Sequence, residues 1–246
     1  MGAKTGYANV ILRCLGLRPG QGADRYVWCE PDAGVRLLLH AMTSREIATK
    51  AAAIIASWKD EDPKALWQRL RAEGPAVCPP VDPREVARWT FVAQASYRRG
   101  QPESGYDDEI ARGRKHPATV CGPILSDAPT LSATITDDAR AVDPLQLPPR
   151  VVVYIDPPYL NTSGYSHSLP RGTWLPIVRR WADAGALVCV SEAEPIPDLM
   201  AEGWHAVEIT GERVGQKRTF SKQQREWLTM SRPPAWKPSI QGKLFA

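Results

Sequence analysis

One stretch constrains the fold more than any other, the nine residues 151–159 with the sequence Val-Val-Val-Tyr-Ile-Asp-Pro-Pro-Tyr. Its first five residues are apolar and rich in β-branched side chains, which predicts a fully buried strand. Pro157 and Pro158 then end the strand, because each fixes its own φ and Pro158 also restricts the residue before it. We therefore expect Asp156 and Tyr159 on a rigid turn at the carboxyl end of a strand, where open α/β sheets bind ligands.

This turn carries the groups that would hold a planar base with an exocyclic amino group. The Asp156 carboxylate and the backbone carbonyl of Pro157 are both acceptors, and together they can hold an NH2 group and draw its lone pair out of conjugation. Tyr159 can stack on the base, as in pockets that receive a base flipped out of a duplex. From the residues alone, a plain strand-ending turn is the alternative.

Asp-Pro-Pro-Tyr after an apolar strand resembles the catalytic motif of amino-group DNA methyltransferases that use S-adenosylmethionine. The continuation Asn161-Thr162-Ser163-Gly164-Tyr165-Ser166 is similar to the Thr-x-x-Tyr continuation of Dam-type adenine methylases. The resemblance implies methyl transfer to the N6 amino group of adenine in double-stranded DNA, by direct attack of the amino nitrogen. It implies a nucleic-acid contact at Tyr165, a cofactor contact at Asp156, and catalytic roles for Asp156, Pro157, Pro158 and Tyr159.

The amino terminus resembles the opening motif of the same family. Apolar residues recur at helical spacing from Ala8 to Leu15, which predicts an amphipathic helix. A glycine-flanked lysine before that helix can meet an anion through backbone N–H groups and charge, although a plain terminus is the alternative. The resemblance implies that Gly2, Lys4 and Tyr7 help bind S-adenosylmethionine.

Residues 25–29 predict a strand, residues 30–34 an acidic turn and residues 35–41 a helix, the unit that cradles a nucleoside cofactor. The turn is similar to the Glu-Pro-Phe-x-Gly-x-Gly motif of the family, or alternatively to its next motif, an acidic turn after the second strand. Either resemblance implies a cofactor site made by Glu30, Pro31, Asp32 and Gly34. A surface turn is the alternative, since Asp32 replaces the aromatic residue and Arg36 the second glycine. No second strand with its acidic turn is recognisable after residue 40, so we expect that strand to be missing or shortened.

The middle of the chain divides into a helical and a polar part. Thr43-Ser44-Arg45-Glu46 has capping-box spacing, Asp62-Pro63 gives an N-cap with a first-turn proline, and Asp82-Pro83 opens a further helix. The tryptophans of the first two of these helices, Trp58 and Trp67, are predicted core residues. From residue 97 to 149 the chain is polar and turn-rich, which is typical of a functional or a disordered insertion. The family has its target-recognition part at this place in the chain order. Nucleic-acid contacts are therefore expected from Tyr97, Arg98, Arg99, Arg114 and Lys115.

After residue 170, helices and strands alternate again, which predicts a mainly parallel sheet covered on both sides. The last two strands, near residues 204–209 and 225–230, are expected to form an antiparallel pair, as in class I methyltransferases. The loop between them offers a second candidate phosphate contact at Arg213, Lys217 and Arg218, and a solvated charged loop is equally compatible. The tail Gln241–Phe245 resembles the short peptide that docks on bacterial sliding clamps.

Composition and charge limit the partners and the compartment that are compatible with this chain. No apolar run approaches the ~18 residues that span a membrane, and no signal peptide opens the chain, so we expect no membrane partner. The 5 cysteines are odd in number and form no Cys-x-x-Cys pair, which predicts no metal site and a reducing cytoplasm, bacterial or phage-encoded in a host. A net charge of +4 permits nucleic-acid binding without requiring it.

The sequence as a whole predicts an α/β, Rossmann-like class I methyltransferase fold: a mostly parallel sheet, helices on both faces and a loop-rich inserted target-recognition region. The expected division is a cofactor-binding part at 1–74, the insertion at 75–150, a catalytic part at 151–232 and a flexible tail at 233–246. Two rival functions remain open. One is methylation of adenine in RNA, and the other is a DNA-binding or regulatory module that kept the fold without activity.

Overall fold

A computed structural model describes residues 4–18, 26–96, 105–107, 116–127, 130–146, 150–157, 170–210 and 225–238. Within these ranges the chain is a mixture of helices and strands, so the expected α/β class is confirmed. The helices are α1 (Ala8–Cys14), α2 (Ala33–Ala41), α3 (Arg45–Ser57), α4 (Pro63–Ala72), α5 (Pro83–Ala95), α6 (Pro117–Asp127), α7 (Arg171–Asp183) and α8 (Pro197–Ala201). The strands are β1 (Tyr26–Cys29), β2 (Ala133–Thr136), β3 (Val152–Ile155), β4 (Leu187–Glu192), β5 (His205–Glu208) and β6 (Trp227–Met230).

The chain forms two compact units. The first unit comprises Met1–Gly2 and Ala23–Ala141, and the second comprises Ala3–Gly22 and Val142–Ala246. Helix α1 therefore groups with the strands that follow residue 150. The functional division at residues 74, 150 and 232 stays a prediction.

The helix starts predicted at Asp62 and Asp82 are confirmed, and the N-cap of α3 is Ser44, one residue after the Thr43 that the capping-box spacing indicates. The side chains of Ser44, Asp62 and Asp82 accept hydrogen bonds from backbone N–H groups in the first turns of α3, α4 and α5. Such caps satisfy donors that the helix itself leaves unpaired. The predicted core positions of Trp58 and Trp67 are also confirmed, since these residues are only 9 % and 6 % exposed.

A buried arginine joins two of these helices. Arg88 of α5 is 1 % exposed. Its guanidinium donates to the carbonyls of Leu70, Gly74 and Pro75, at and just beyond the end of α4, and to the carboxylate of Glu85. Because the guanidinium donates to three backbone carbonyls and a carboxylate, the buried charge is compensated by hydrogen bonds.

The expectation of a turn-rich region from 97 to 149 is wrong for two parts of it, α6 and β2. Helix α6 contains Gly122 and Pro123, which interrupt the apolar periodicity that marks a helix in a sequence. Strand β2 has only 4 residues, too few for a clear alternating pattern. Strand β2 pairs in parallel with β1 and is separated from it by the five helices α2 to α6.

The second unit contains a four-stranded sheet in the order β3-β4-β6-β5. Strands β3 and β4 are parallel, while β6 runs antiparallel to both β4 and β5. Three strands therefore share one direction, and β6 is inserted between two of them. The predicted antiparallel pairing of the last two strands is confirmed.

Helices cover both faces of this sheet, as expected. Helix α1 packs on one face, where its apolar residues meet side chains of β4 and β6, namely Cys189, Leu228 and Met230. Helices α7 and α8 pack on the other face, around Val188 and Val190. Alternating residues of β4 thus belong to two different cores, as the pleat of a strand requires.

The expectation that strand β3 is fully buried is wrong. Val153 and Ile155 contact the core under α7, whereas Val152 and Tyr154 on the opposite face are 41 % and 36 % exposed. Among the described residues, the core beneath α1 includes no side chain of β3. The apolar run fits a strand, but its burial depends on how far α1 extends over the sheet, which the run itself does not encode.

Candidate functional site

The register of the second unit brings three polar side chains to one end of the sheet. Ile155 pairs with Val190, so Asp156 and Ser191, one residue further along, are neighbours across β3 and β4. Ser191 also pairs with Leu228 of β6, and Glu226 lies two residues before Leu228. Because side chains alternate along a strand, Asp156, Ser191 and Glu226 share the face that α1 covers further along.

Ser191 connects the two carboxylates. Its hydroxyl donates to Oε1 of Glu226 at 2.6 Å, and lies 3.5 Å from Oδ1 of Asp156. The short distance is typical of a hydroxyl that donates to an ionised acceptor. Ser191 and Glu226 are 0 % and 5 % exposed, whereas Asp156 is exposed. The catalytic candidate therefore presents its carboxylate outward from a buried polar support.

Tyr154 completes this group, which we call the carboxylate network: Tyr154, Asp156, Ser191 and Glu226. Burial raises the pKa of the Tyr154 hydroxyl far above its ordinary value, the Asp156 carboxylate raises that pKa further, and a hydrogen bond with Ser191 opposes the increase. The residue is 36 % exposed overall, and its hydroxyl forms a hydrogen bond with Ser191 of the network. We expect Tyr154 to remain protonated and to act as a donor.

Tyr7 lies at the same end of the sheet. Its hydroxyl donates to the backbone carbonyl of Thr210 at 3.4 Å. The Thr210 hydroxyl accepts from the N–H of Glu226 at 2.9 Å and donates to Glu208 at 2.8 Å. The structure therefore joins two predicted site segments, the turn Lys4–Tyr7 before α1 and the residues around Asp156, within one unit.

The acidic turn after β1 belongs to the first unit, and its carboxylates hold its own backbone. Oε1 of Glu30 accepts from the N–H of Asp32 at 2.9 Å, and Oδ1 of Asp32 accepts from the N–H of Val35 as the N-cap of α2. Arg36 donates to the carbonyls of Glu30 and Pro31 at 2.7 and 2.6 Å. Arg36, which stands where the resembling motif has its second glycine, thus holds the backbone of the turn in place.

The close approach at Gly34 is made by a side chain of the protein. A Cβ placed on Gly34 would lie 1.7 Å from Nε1 of Trp89, so only glycine fits against this indole. Trp89 of α5 therefore occupies the Cβ space of this glycine, and the cofactor contact of Gly34 stays a prediction.

The acidic turn has neighbours that sequence reasoning missed. The N–H of Glu30 donates to the carbonyl of Thr136 at 2.9 Å, which carries the pairing of β1 and β2 past the ends of both strands. Asp137 and Asp138 follow directly. Burial raises the pKa of the Cys29 thiol and the Asp138 carboxylate raises it further, which places these two groups near each other. In the sequence, the acidic pair Asp137-Asp138 after a short β-branched segment is the feature that could have indicated these neighbours.

Arg171 is a second residue that the sequence did not single out. It opens α7, the helix between the parallel strands β3 and β4, so it lies at the end of the sheet where β3 finishes. Its Nε and Nη2 atoms are buried, and within the described part of the chain they have no hydrogen-bond partner. A buried guanidinium with unused donors at this edge is suited to an anion such as a phosphate group.

Many predicted site residues lie outside the described ranges. These are Gly2, Pro158, Tyr159, Tyr97, Arg98, Arg99, Arg114, Lys115, Tyr165, Arg213, Lys217, Arg218 and the tail Gln241–Phe245. Of the predicted catalytic residues, Asp156 and Pro157 are described, and Pro157 is buried.

The described residues contain no cluster of three or more His, Cys, Asp or Glu side chains that could hold a metal ion. No helix among them is long and apolar enough to cross a membrane.

Comparison with models of known protein families gives no match. No curated protein is significantly similar to the chain in sequence.

Proposed function

We propose that the protein is an S-adenosylmethionine-dependent methyltransferase that methylates the N6 amino group of adenine in DNA. The observation that carries the proposal is the position of Asp156: an exposed carboxylate at the carboxyl end of a parallel strand, followed by a buried proline and backed by Ser191. Ligands of open α/β sheets bind at this edge. The Asp-Pro-Pro-Tyr resemblance supplies the reaction.

The chemistry requires two acceptors and correct alignment. Asp156 and the Pro157 carbonyl would accept the two N–H groups of the adenine amino group and localise its lone pair on nitrogen. S-adenosylmethionine, when bound, supplies the methyl group. No covalent bond between enzyme and base forms, so the protein contributes positioning and electrostatics. The amino proton leaves towards the Asp156 carboxylate as the nitrogen becomes substituted.

The strand arrangement supports the same proposal. In the second unit the last two strands pair antiparallel, as expected from the resemblance to class I methyltransferases, and β6 lies between β4 and β5. The Tyr7 segment and Asp156 belong to the same unit. These features agree with a cofactor segment and a catalytic segment that work together.

The hydrogen-bond acceptors of the first unit fit a nucleoside cofactor in part. Glu30 and Asp138 are acceptors suited to hydroxyl and ammonium groups, and carboxylates can accept several hydrogen bonds at once. The space at Gly34 does not fit a ligand, because Trp89 fills it. Cofactor contacts in this turn would therefore be made by carboxylates and backbone groups.

The decisive experiment is transfer of labelled methyl from S-adenosylmethionine to unmethylated duplex DNA, with products identified as nucleosides. Asp156→Ala should abolish transfer and leave the fold intact. Asp183→Ala, an exposed aspartate at the end of α7, is the matched control and should transfer normally. Normal turnover by Asp156→Ala would refute the assignment of Asp156. Label in RNA alone, in a parallel reaction, would keep the chemistry and replace the substrate.

A second candidate, a nucleic-acid-binding module without transferase activity, is favoured by the indole of Trp89 against Gly34. A titration with S-adenosylhomocysteine separates the two candidates. Saturable binding supports the enzyme, and DNA binding without any cofactor binding supports the module.

A further inference from the structure

We propose that Arg171 binds a phosphodiester group of the DNA strand that carries the target base. The proposal rests on the proposed function, because it names the part of the DNA substrate that this side chain holds. Nε and Nη2 of Arg171 are buried, and neither atom has a hydrogen-bond partner within the described part of the chain. Buried donors are normally paired, so two unpaired donors on one charged group indicate a ligand.

The two unpaired atoms form one edge of the guanidinium, the edge on which Nε–H and one N–H of Nη2 point the same way. Such an edge binds two oxygens of one carboxylate or phosphate group side by side. Two other arginines fill the same edge with a carboxylate. Nε and Nη2 of Arg88 donate to the two oxygens of Glu85 at 2.8 and 2.7 Å. Nε of Arg179 donates to Glu202 at 3.0 Å.

The first turn of α7 favours an anion at the same place. Arg171 is the first residue of this 13-residue helix, and its first turn, Arg171–Trp174, contains no acidic residue. The amino end of a helix carries partial positive charge, which adds to the charge of the guanidinium. A Cβ built on Gly172 would have no described atom within 4 Å outside its own helix and chain neighbours, so the turn has open space beside it.

The position of α7 favours a DNA phosphate over the carboxylate of the cofactor. Helix α7 packs on the face of the sheet opposite to α1, the helix that follows the Tyr7 segment expected to bind the cofactor. Arg171 lies at the edge where β3 ends and Asp156 follows. A nucleotide carries a phosphate on each side of its sugar, so a base held at Asp156 brings phosphates to this edge. Contacts of this kind position DNA without reading its sequence.

Burial makes these donors effective. Because Nε and Nη2 are already removed from water, a phosphate that pairs with them replaces no existing hydrogen bond. Arg171 as a whole is only partly buried, so rotation of its long side chain is sufficient to bring this edge to a ligand. Hydrogen bonds to charged groups are strong enough that loss of this arginine should weaken DNA binding about tenfold.

The first test follows the Nε–H signal of Arg171 in nitrogen–proton NMR spectra of the wild type, with Arg171→Lys used for assignment. We expect the signal to move on titration with duplex DNA and to stay in place on titration with S-adenosylhomocysteine. The Nε–H signal of Arg179, already paired with Glu202, is the internal control and should move in neither titration. A signal that moves only with S-adenosylhomocysteine would assign this edge to the cofactor carboxylate and overturn the proposal, as would a signal that never moves.

The second test measures the Kd for the same duplex by fluorescence anisotropy. Arg171→Gln should raise Kd about tenfold. Arg171→Lys keeps the charge without the paired donors and should raise Kd less, while Arg179→Gln should leave it unchanged. In the transfer reaction, Arg171→Gln should raise KM for DNA and retain kcat at saturating DNA, which a damaged fold would not do.

Equal Kd values for the wild type and Arg171→Gln would also overturn the proposal. A wild type that transfers no methyl group would instead refute the proposed function. The NMR titrations and the Kd values would still decide the role of Arg171, because neither measurement depends on methyl transfer.

Discussion

The indole of Trp89 lies against Gly34 so closely that a Cβ on Gly34 would be 1.7 Å from Nε1 and 1.8 Å from Cε2. Gly34 is in the first turn of α2 and Trp89 is in α5, so this contact sets how closely the two helices approach. The glycine is therefore explained by packing within the first unit.

Gly34→Ala should destabilise the protein, because the indole must move to admit a methyl group. Overpacking of this kind costs about 1–3 kcal/mol, which outweighs the roughly 1 kcal/mol that alanine gains over glycine in a helix. Chemical denaturation of Gly34→Ala measures the loss. In a Trp89→Ala background the same change should be neutral or stabilising. Equal penalties in both backgrounds would contradict the contact.

Arg88→Met should destabilise the first unit strongly. The change leaves three backbone carbonyls and the Glu85 carboxylate without the donor that now satisfies them. Breaking a buried charge network typically costs about 3–5 kcal/mol. Arg84→Met is the control, because Arg84 forms an exposed ion pair with Glu73 that is worth at most ~1 kcal/mol. Denaturant midpoints that fall equally in both variants would refute this difference.

The helix starts could be predicted because their causes are local. Ser44, Asp62 and Asp82 each cap a helix through a hydrogen bond that spans no more than three residues. The apolar run before Asp156 likewise predicted strand β3 from neighbouring residues alone. Such features depend only on residues that lie close together in the sequence.

The pairing of β1 with β2 and the contact of Ser191 with Glu226 could not be predicted, because both depend on register between distant segments. Nothing near Ser191 in sequence indicates that two carboxylates approach its hydroxyl. The contact of Trp89 with Gly34 could not be predicted for the same reason, since the indole comes from a different helix. Sequence patterns located Asp156, and only the three-dimensional arrangement revealed what supports it.

Cys29 should be the first cysteine to react with iodoacetamide, since it is exposed and the other four are buried. The reaction should be slow at neutral pH, because partial desolvation of the thiol within an otherwise exposed residue, together with the Asp138 carboxylate, raises the thiol pKa. Asp138→Asn should accelerate alkylation by lowering that pKa, and Cys29→Ser should remove the first adduct in intact-mass spectra. S-adenosylhomocysteine should protect Cys29, because the cofactor is proposed to bind at Glu30. Alkylation unaffected by saturating ligand would exclude that placement.

The ionised Glu73 carboxylate should stabilise the fold at neutral pH, and this stabilisation should disappear on acidification. A hydrogen bond from Arg84 lowers the pKa of Glu73 below its ordinary value of 4.5. A carboxyl whose folded pKa is depressed stabilises the fold above the unfolded pKa, and the contribution disappears as pH falls through the folded pKa. At pH 7, Glu73→Gln should therefore lower the free energy of unfolding by no more than ~1 kcal/mol, which would appear as a slightly lower Tm. The difference between the variant and the wild type should disappear as the pH falls through the lowered pKa of Glu73, and a difference that grows on acidification would contradict the sign.

Arg171→Gln should weaken DNA binding uniformly across duplex sequences. Its buried Nε and Nη2 have no partner within the described part of the chain, and they lie at the edge of the sheet where Asp156 is found. If the guanidinium binds a backbone phosphate, its loss should reduce the slope of log Kd against log salt by about 1. Arg179→Gln is the matched control on the same helix, because Arg179 is already paired with Glu202 at 3.0 Å through Nε. Fluorescence anisotropy over a salt series measures both variants. Equal slopes for wild type and Arg171→Gln would show that this arginine does not contact phosphate.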